Sequence, residues 1–132
     1  HYVINTYMAR TVTIIGTSTG TNFNLTSDKV RGDSYYGYTD GLHTVAFYFS
    51  NFTGKIILEA TLADDPLESD WFAMAIDPPI NFLQLTAHTD VIARTFQGNF
   101  LYIRVRIDRS YLSPANNDSM QHGQVMKVLL NH

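Results

Sequence analysis

Leu101-Tyr102-Ile103-Arg104-Val105-Arg106-Ile107-Asp108 alternates apolar and polar residues without a break. Side chains alternate across a strand, so Leu101, Ile103, Val105 and Ile107 share a core-facing side. Tyr102, Arg104, Arg106 and Asp108 share the other. A slip of one residue would bury both arginines, so the pairing register of this strand is tightly specified.

The same period of two recurs on either side. In Ile56-Ile57-Leu58-Glu59-Ala60-Thr61-Leu62, the residues Ile56, Leu58, Ala60 and Leu62 fall on one face, with Glu59 and Thr61 on the other. In His43–Ser50, Val45, Phe47 and Phe49 point inward. Asn51-Phe52-Thr53-Gly54 separates these two runs and predicts a hairpin between Val45–Ser50 and Lys55–Leu62. Further strands are expected at Tyr2–Tyr7, Thr11–Ile15, Phe23–Thr26, Trp71–Ile76, Phe82–Thr86, Ile92–Phe96 and Val125–Asn131. Gly- and Pro-marked turns lie between them, among them Asp77-Pro78-Pro79 and Gln97-Gly98-Asn99. Helical spacing is absent except for one turn near Asp65-Pro66. Many short strands at regular spacing predict an all-β fold, an antiparallel, jelly-roll-like β-sandwich, with a β-barrel as the alternative.

The chain has 132 residues, enough for one domain over 1–132, with 1–20 expected as an arm or edge strand involved in assembly. Hydrophobic residues make up 45 %, which supports a real core and excludes intrinsic disorder. A net charge of −3 with no basic block argues against a nucleic-acid partner. No apolar run is long enough to span a membrane as a helix. Cysteine is absent, so no disulfide or thiolate chemistry arises. His1-Tyr2-Val3-Ile4-Asn5 has neither the basic nor the apolar part of a signal peptide, and without a Met an upstream residue or leader is expected.

His1, His43, His88, His122 and His132 show no metal-ligand spacing, and no nucleophile elbow or phosphate-binding glycine loop occurs. The chain therefore reads as a non-enzyme, with no catalytic, cofactor or metal residue assigned. Asp64, Asp65, Glu68 and Asp70 gather carboxylates in a short loop, which would suit calcium, although the spacing matches no EF-hand. Tyr35, Tyr36 and Tyr38 lie in a Gly-rich polar stretch and offer flat amphipathic rings to a protein partner or a sugar. Trp71 and Phe72 read as core anchors. Tyr102, Arg104 and Arg106 project from one strand face, the arginines about 7 Å apart, and could meet the Asp64–Asp70 loop of a neighbouring copy.

Four blocks carry a family likeness: Lys29-Val30-Arg31-Gly32-Asp33-Ser34-Tyr35-Tyr36-Gly37-Tyr38, Asn51–Ile56 with Asp70-Trp71-Phe72, Gly98–Val105, and Val125–His132. In these the chain resembles small virion structural proteins of T4-like tailed phages of marine bacteria. The resemblance covers the chain from about Lys29 onward and supplies no functional motif to transfer. It implies a non-enzymatic virion component in head decoration, neck or tail, whose partners are itself and other virion proteins. Carbohydrate-binding modules share a comparable layout, so a glycan-binding module of an adhesin or tail fibre, reading a host-surface glycan, is the alternative.

Overall fold

The computed structural model describes residues 11–17, 23–37, 40–76, 78–112 and 122–132. The strands β1 (Thr11–Ile15), β2 (Leu25–Thr26) and β3 (Val30–Arg31) lead into a single helical turn, α1 (Asp33–Tyr36). The strands β4 (Leu42–Ser50) and β5 (Phe52–Thr61) come next, followed by a 3-10 turn at Glu68–Asp70. Then come β6 (Phe72–Ala73), β7 (Leu83–His88), β8 (Ile92–Gln97), β9 (Tyr102–Asp108) and β10 (Gln124–Asn131).

Two antiparallel sheets face each other. One has the order β1-β10-β4-β8; the other has β2-β9-β5-β6, with β3 also on β9 and β7 also on β5. Because β2 and β3 both pair with β9, at Ile107 and Ile103 respectively, they act as one interrupted strand. β6 and β7 share β5 in the same way. Counted so, the ten strands reduce to eight that pair first with last, second with seventh, third with sixth and fourth with fifth. A long antiparallel hairpin rolled over on itself gives this order, the double-sheet jelly roll. The sheets do not close into a barrel.

The alternation of β9 holds: Ile103, Val105 and Ile107 are buried and pack with Ile56, Leu58 and Ala60 of β5. Val45, Phe47 and Phe49 of β4 and Val125, Val128 and Leu130 of β10 meet them from the other sheet. Each such side chain contributes roughly 1.5–3 kcal/mol by leaving water. The central strand β5 differs from expectation because its second face is covered too: Ile57, Glu59 and Thr61 are buried. Leu62 lies past the strand end and is exposed.

The predicted hairpin between β4 and β5 does not form. β4 pairs with β10 and β8, and β5 pairs with β9, β6 and β7. Asn51 takes a left-handed backbone (φ 51°), which Asn tolerates better than most residues, and carries the chain from one sheet to the other. Phe49 and Phe52 then stack at 5.2 Å across the interior.

Trp71 and Phe72 are not core anchors. β6 is a two-residue edge strand, so Phe72 stays exposed and Trp71 lies half-buried on the outer sheet face. Within the expected arm, Thr11–Ile15 is the edge strand of the four-stranded sheet and pairs with β10 of its own chain. Residues 1–10 and 18–20, and with them the strand expected at Tyr2–Tyr7, lie outside the described residues. Among the described residues, no helix is long and apolar enough to cross a membrane.

Candidate functional site: an aromatic and basic patch beside two polar clusters

The outward face of β9 carries Tyr102, Arg104 and Arg106, and the fold divides them between two settings. Register places Glu59 of β5 opposite Arg104. Arg104 Nε donates to Glu59 Oε1 at 2.8 Å, and Arg106 Nε donates to Glu59 Oε2 at 3.1 Å. The 3-10 turn then folds over the pair. Arg104 Nη1 and Nη2 grip both oxygens of Glu68 at 3.0 and 2.9 Å, the two-pronged geometry that suits a guanidinium. Trp71 covers the guanidinium at 4.2 Å from its ring centroid. Arg104 is therefore buried, not solvated. Hydrogen bonding to Arg104 holds the Glu68 carboxyl below the usual carboxylate range, and the same bonds push Arg104 up.

This arrangement corrects the expected contact between copies. The acidic loop does meet Arg104, but it is the loop of the same chain. Asp70 is also engaged locally, its Oδ2 accepting the Leu67 N–H at 2.7 Å. Of the four carboxylates considered for calcium, Glu68 and Asp70 thus already serve as acceptors, whereas Asp64 and Asp65 are exposed.

Tyr102, at the start of β9, belongs to a different surface. Arg31 of β3 pairs with it across the ladder, and α1 follows β3 directly. Tyr35 on α1 therefore reaches Tyr102, at 5.8 Å between ring centroids, and meets Tyr36 edge-on at 5.7 Å. Arg31 stacks over Tyr35 at 4.3 Å and Lys29 lies over Tyr102 at 5.2 Å. Val12, Lys29, Val30, Arg31, Tyr36 and Tyr102 line a surface depression of about 490 Å³. Tyr35 and Tyr36 are about two-fifths exposed, at 42 % and 41 %. Tyr38, the third predicted ring, lies outside the described residues. Among the described residues neither Lys29 nor Arg31 forms an ion pair with a carboxylate.

Beneath Tyr36 sits a cluster that sequence spacing did not reveal: Asp33, His43 and His132, all buried. Gly32 lets α1 lie directly on the chain before β9, since a Cβ there would strike the Phe100 carbonyl. The Gly32 and Ser34 N–H groups donate to Leu101 and Phe100 carbonyls at 2.8 and 3.0 Å, which turns Asp33 inward. His43 Nδ1 donates to the Gly41 carbonyl at 2.8 Å, a reach that Gly41 permits through its positive φ of 66°. His132 Nδ1 hydrogen-bonds to Asp33 Oδ1 at 3.1 Å, and His43 Nε2 stands 3.5 Å from that same oxygen. His43 stacks flat on Phe96 at 4.8 Å, and Tyr36 meets His132 edge-on at 5.4 Å. Burial pushes the His43 imidazole down, against the pull of Asp33.

One signal for this cluster was present. His43 falls in phase with Val45, Phe47 and Phe49, and a polar residue on the buried phase of a strand requires a partner. The partners themselves come from α1 and the end of β10, which only the jelly-roll topology brings together. No protein-family model, curated protein or solved structure matches the chain.

Proposed function

We propose that this is a non-enzymatic, particle-building β-domain that docks on neighbouring subunits through Tyr35, Tyr36, Tyr102, Lys29 and Arg31. Its place in the resemblance given above would be a small virion structural protein, found in the virion and bound to itself and to other virion proteins. The observation that carries the reading is the pairing of tyrosine rings, Tyr35 exposed and Tyr102 half-buried, with two cations that lack carboxylate partners among the described residues. Tyr and Arg are the side chains enriched where protein interfaces concentrate their binding energy. Asp64 and Asp65, exposed on the same chain, offer the opposite charge to a second copy. The jelly roll is shared by capsid and lectin domains, an analogy of fold that agrees with assembly without deciding it.

Glycan binding is the second reading, favoured by the clustering of three rings. Against it, Arg31 occupies one face of Tyr35 and Lys29 one face of Tyr102, which leaves less flat ring surface for a sugar. Sedimentation velocity across a hundredfold concentration range, with electron microscopy of each species, tests the choice. Assembly predicts defined oligomers that dissociate in Arg31→Glu and Tyr35→Ala. A strict monomer at every concentration, together with a glycan-array signal lost in Tyr35→Ala, would replace assembly by the second reading.

A further inference from the structure

We propose that Asp33, His43 and His132 form a binding site for one transition-metal ion, zinc by its chemistry, that ties α1 to the four-stranded sheet beneath the aromatic patch. Asp33 comes from α1, His43 from β4 and His132 from directly after β10, so the two histidines are brought together by neighbouring strands and the carboxylate reaches them from the helical turn. All three side chains are buried, and the ligand atoms lie within 4.8 Å of one another. Two nitrogens and an oxygen suit zinc, whose bonds of about 2.0–2.1 Å at a tetrahedral angle place neighbouring ligands roughly 3.4 Å apart. Asp33 Oδ1 stands 3.1 Å from His132 Nδ1 and 3.5 Å from His43 Nε2, which brackets that spacing. The two histidine nitrogens need only close together within their present limit.

The outer hydrogen bonds point the same way. A carbonyl can only accept, so the Nδ1 of His43 carries the proton given to Gly41 and Nε2 is the nitrogen aimed at the carboxylate. Metal-ligating histidines are oriented by just this kind of bond from the other ring nitrogen to a backbone carbonyl. At 3.5 Å, His43 Nε2 makes no hydrogen bond to Asp33, and Asp33 Oδ2 is buried without a hydrogen-bond partner among the described residues. A cation between Asp33 Oδ1 and the histidine nitrogens would neutralise this carboxylate, which is held 1 % exposed with no lysine or arginine in ion-pair contact among the described residues. The stacked Phe96 ring and the edge of Tyr36 complete an aromatic wall around the site. In a chain without cysteine, such an ion would do the cross-linking that disulfides do elsewhere.

The test uses the full chain after exhaustive chelation and return to metal-free buffer. Cobalt(II) titration should give the visible absorption bands of a low-symmetry tetrahedral site and saturate at one equivalent, with zinc displacing it. Long-range proton–nitrogen correlation spectra of the wild-type protein should show zinc shifting His43 Nε2 and His132 Nδ1, while His88 and His122 stay unmoved. Asp33→Asn and His43→Gln should weaken binding more than about tenfold, and His88→Asn should leave it unchanged. Should the buried variants fail to fold, the wild-type spectra decide. Absent cobalt bands, or zinc shifts confined to His88, His122 or the terminal His1, would overturn the assignment.

Discussion

The outward face of β9 meets cations in two places, at its centre and at its start, and the two are treated oppositely. At the centre, Arg104 is buried, bonded through three nitrogens to Glu59 and Glu68 and covered by Trp71. At the start, beside Tyr102, Lys29 and Arg31 rest on tyrosine rings and have no carboxylate of their own among the described residues. The first set of charges is spent inside the chain, and its role is to close the sandwich under the 3-10 turn. The second set is left facing outward. A guanidinium on a strand face is thus a weak guide to function until its carboxylates are located.

The largest effect expected from this contrast is on stability. Glu59→Ala would leave Arg104 buried beside one remaining carboxylate and should cost about 3–5 kcal/mol in denaturant unfolding. Altering the exposed patch should do the reverse: Arg31→Glu or Tyr35→Ala should leave unfolding within about 0.5 kcal/mol while weakening self-association more than tenfold in sedimentation. Loss of fold in the patch variants, or intact assembly, would erase the distinction between the centre of β9 and the patch at its start.

Smaller effects sharpen it. Glu68 is held by Arg104 from an exposed loop, its side chain 83 % exposed, so Glu68→Gln should destabilise the fold far less than Glu59→Ala in the same unfolding measurement. Its carboxyl is depressed in the folded chain, so its contribution is complete above the ordinary Glu value and disappears as pH falls through the lower, folded one. Trp71 is the single tryptophan, and its fluorescence should change in that acid window and not in Glu68→Gln. The smallest change belongs to Arg109, which is fully buried and, among the described residues, has Nε and Nη1 without a hydrogen-bond partner while Nη2 donates to the Gly123 carbonyl at 2.8 Å. Burial pushes this guanidinium down, and Arg109→Met should leave stability within about 1 kcal/mol or raise it. A loss like that of Glu59→Ala would mean that the two buried arginines are not different in kind.

The strands of the sandwich were legible because period two survives in β4, β5 and β9, where one face is packed throughout. Strand partners were not. The hairpin expected across Asn51 failed because a short loop specifies a turn, whereas the left-handed Asn51 changes sheets instead. α1 went unread because four residues are too few to show helical periodicity. In the site, Tyr35, Tyr36 and Tyr102 were each identified, and the fold joins them, whereas it pairs Arg104 and Arg106 with Glu59 across the same sheet face. Lys29 and Arg31 were missed as site members because nothing in a linear sequence marks a cation as lacking a carboxylate. Asp33 and His132 lie 99 residues apart, and no local pattern links them.

The most direct test of the docking surface is hydroxyl-radical footprinting of the protein at dilutions where it is monomeric and at concentrations where it assembles. Tyrosine rings react readily, so the patch reports on itself. On assembly Tyr35, Tyr36 and Tyr102 should lose reactivity together, while the exposed Tyr111 on the loop after β9 should not. Protection at Tyr111 or along the open edge of β8, with Tyr35, Tyr36 and Tyr102 unchanged, would contradict docking through this patch.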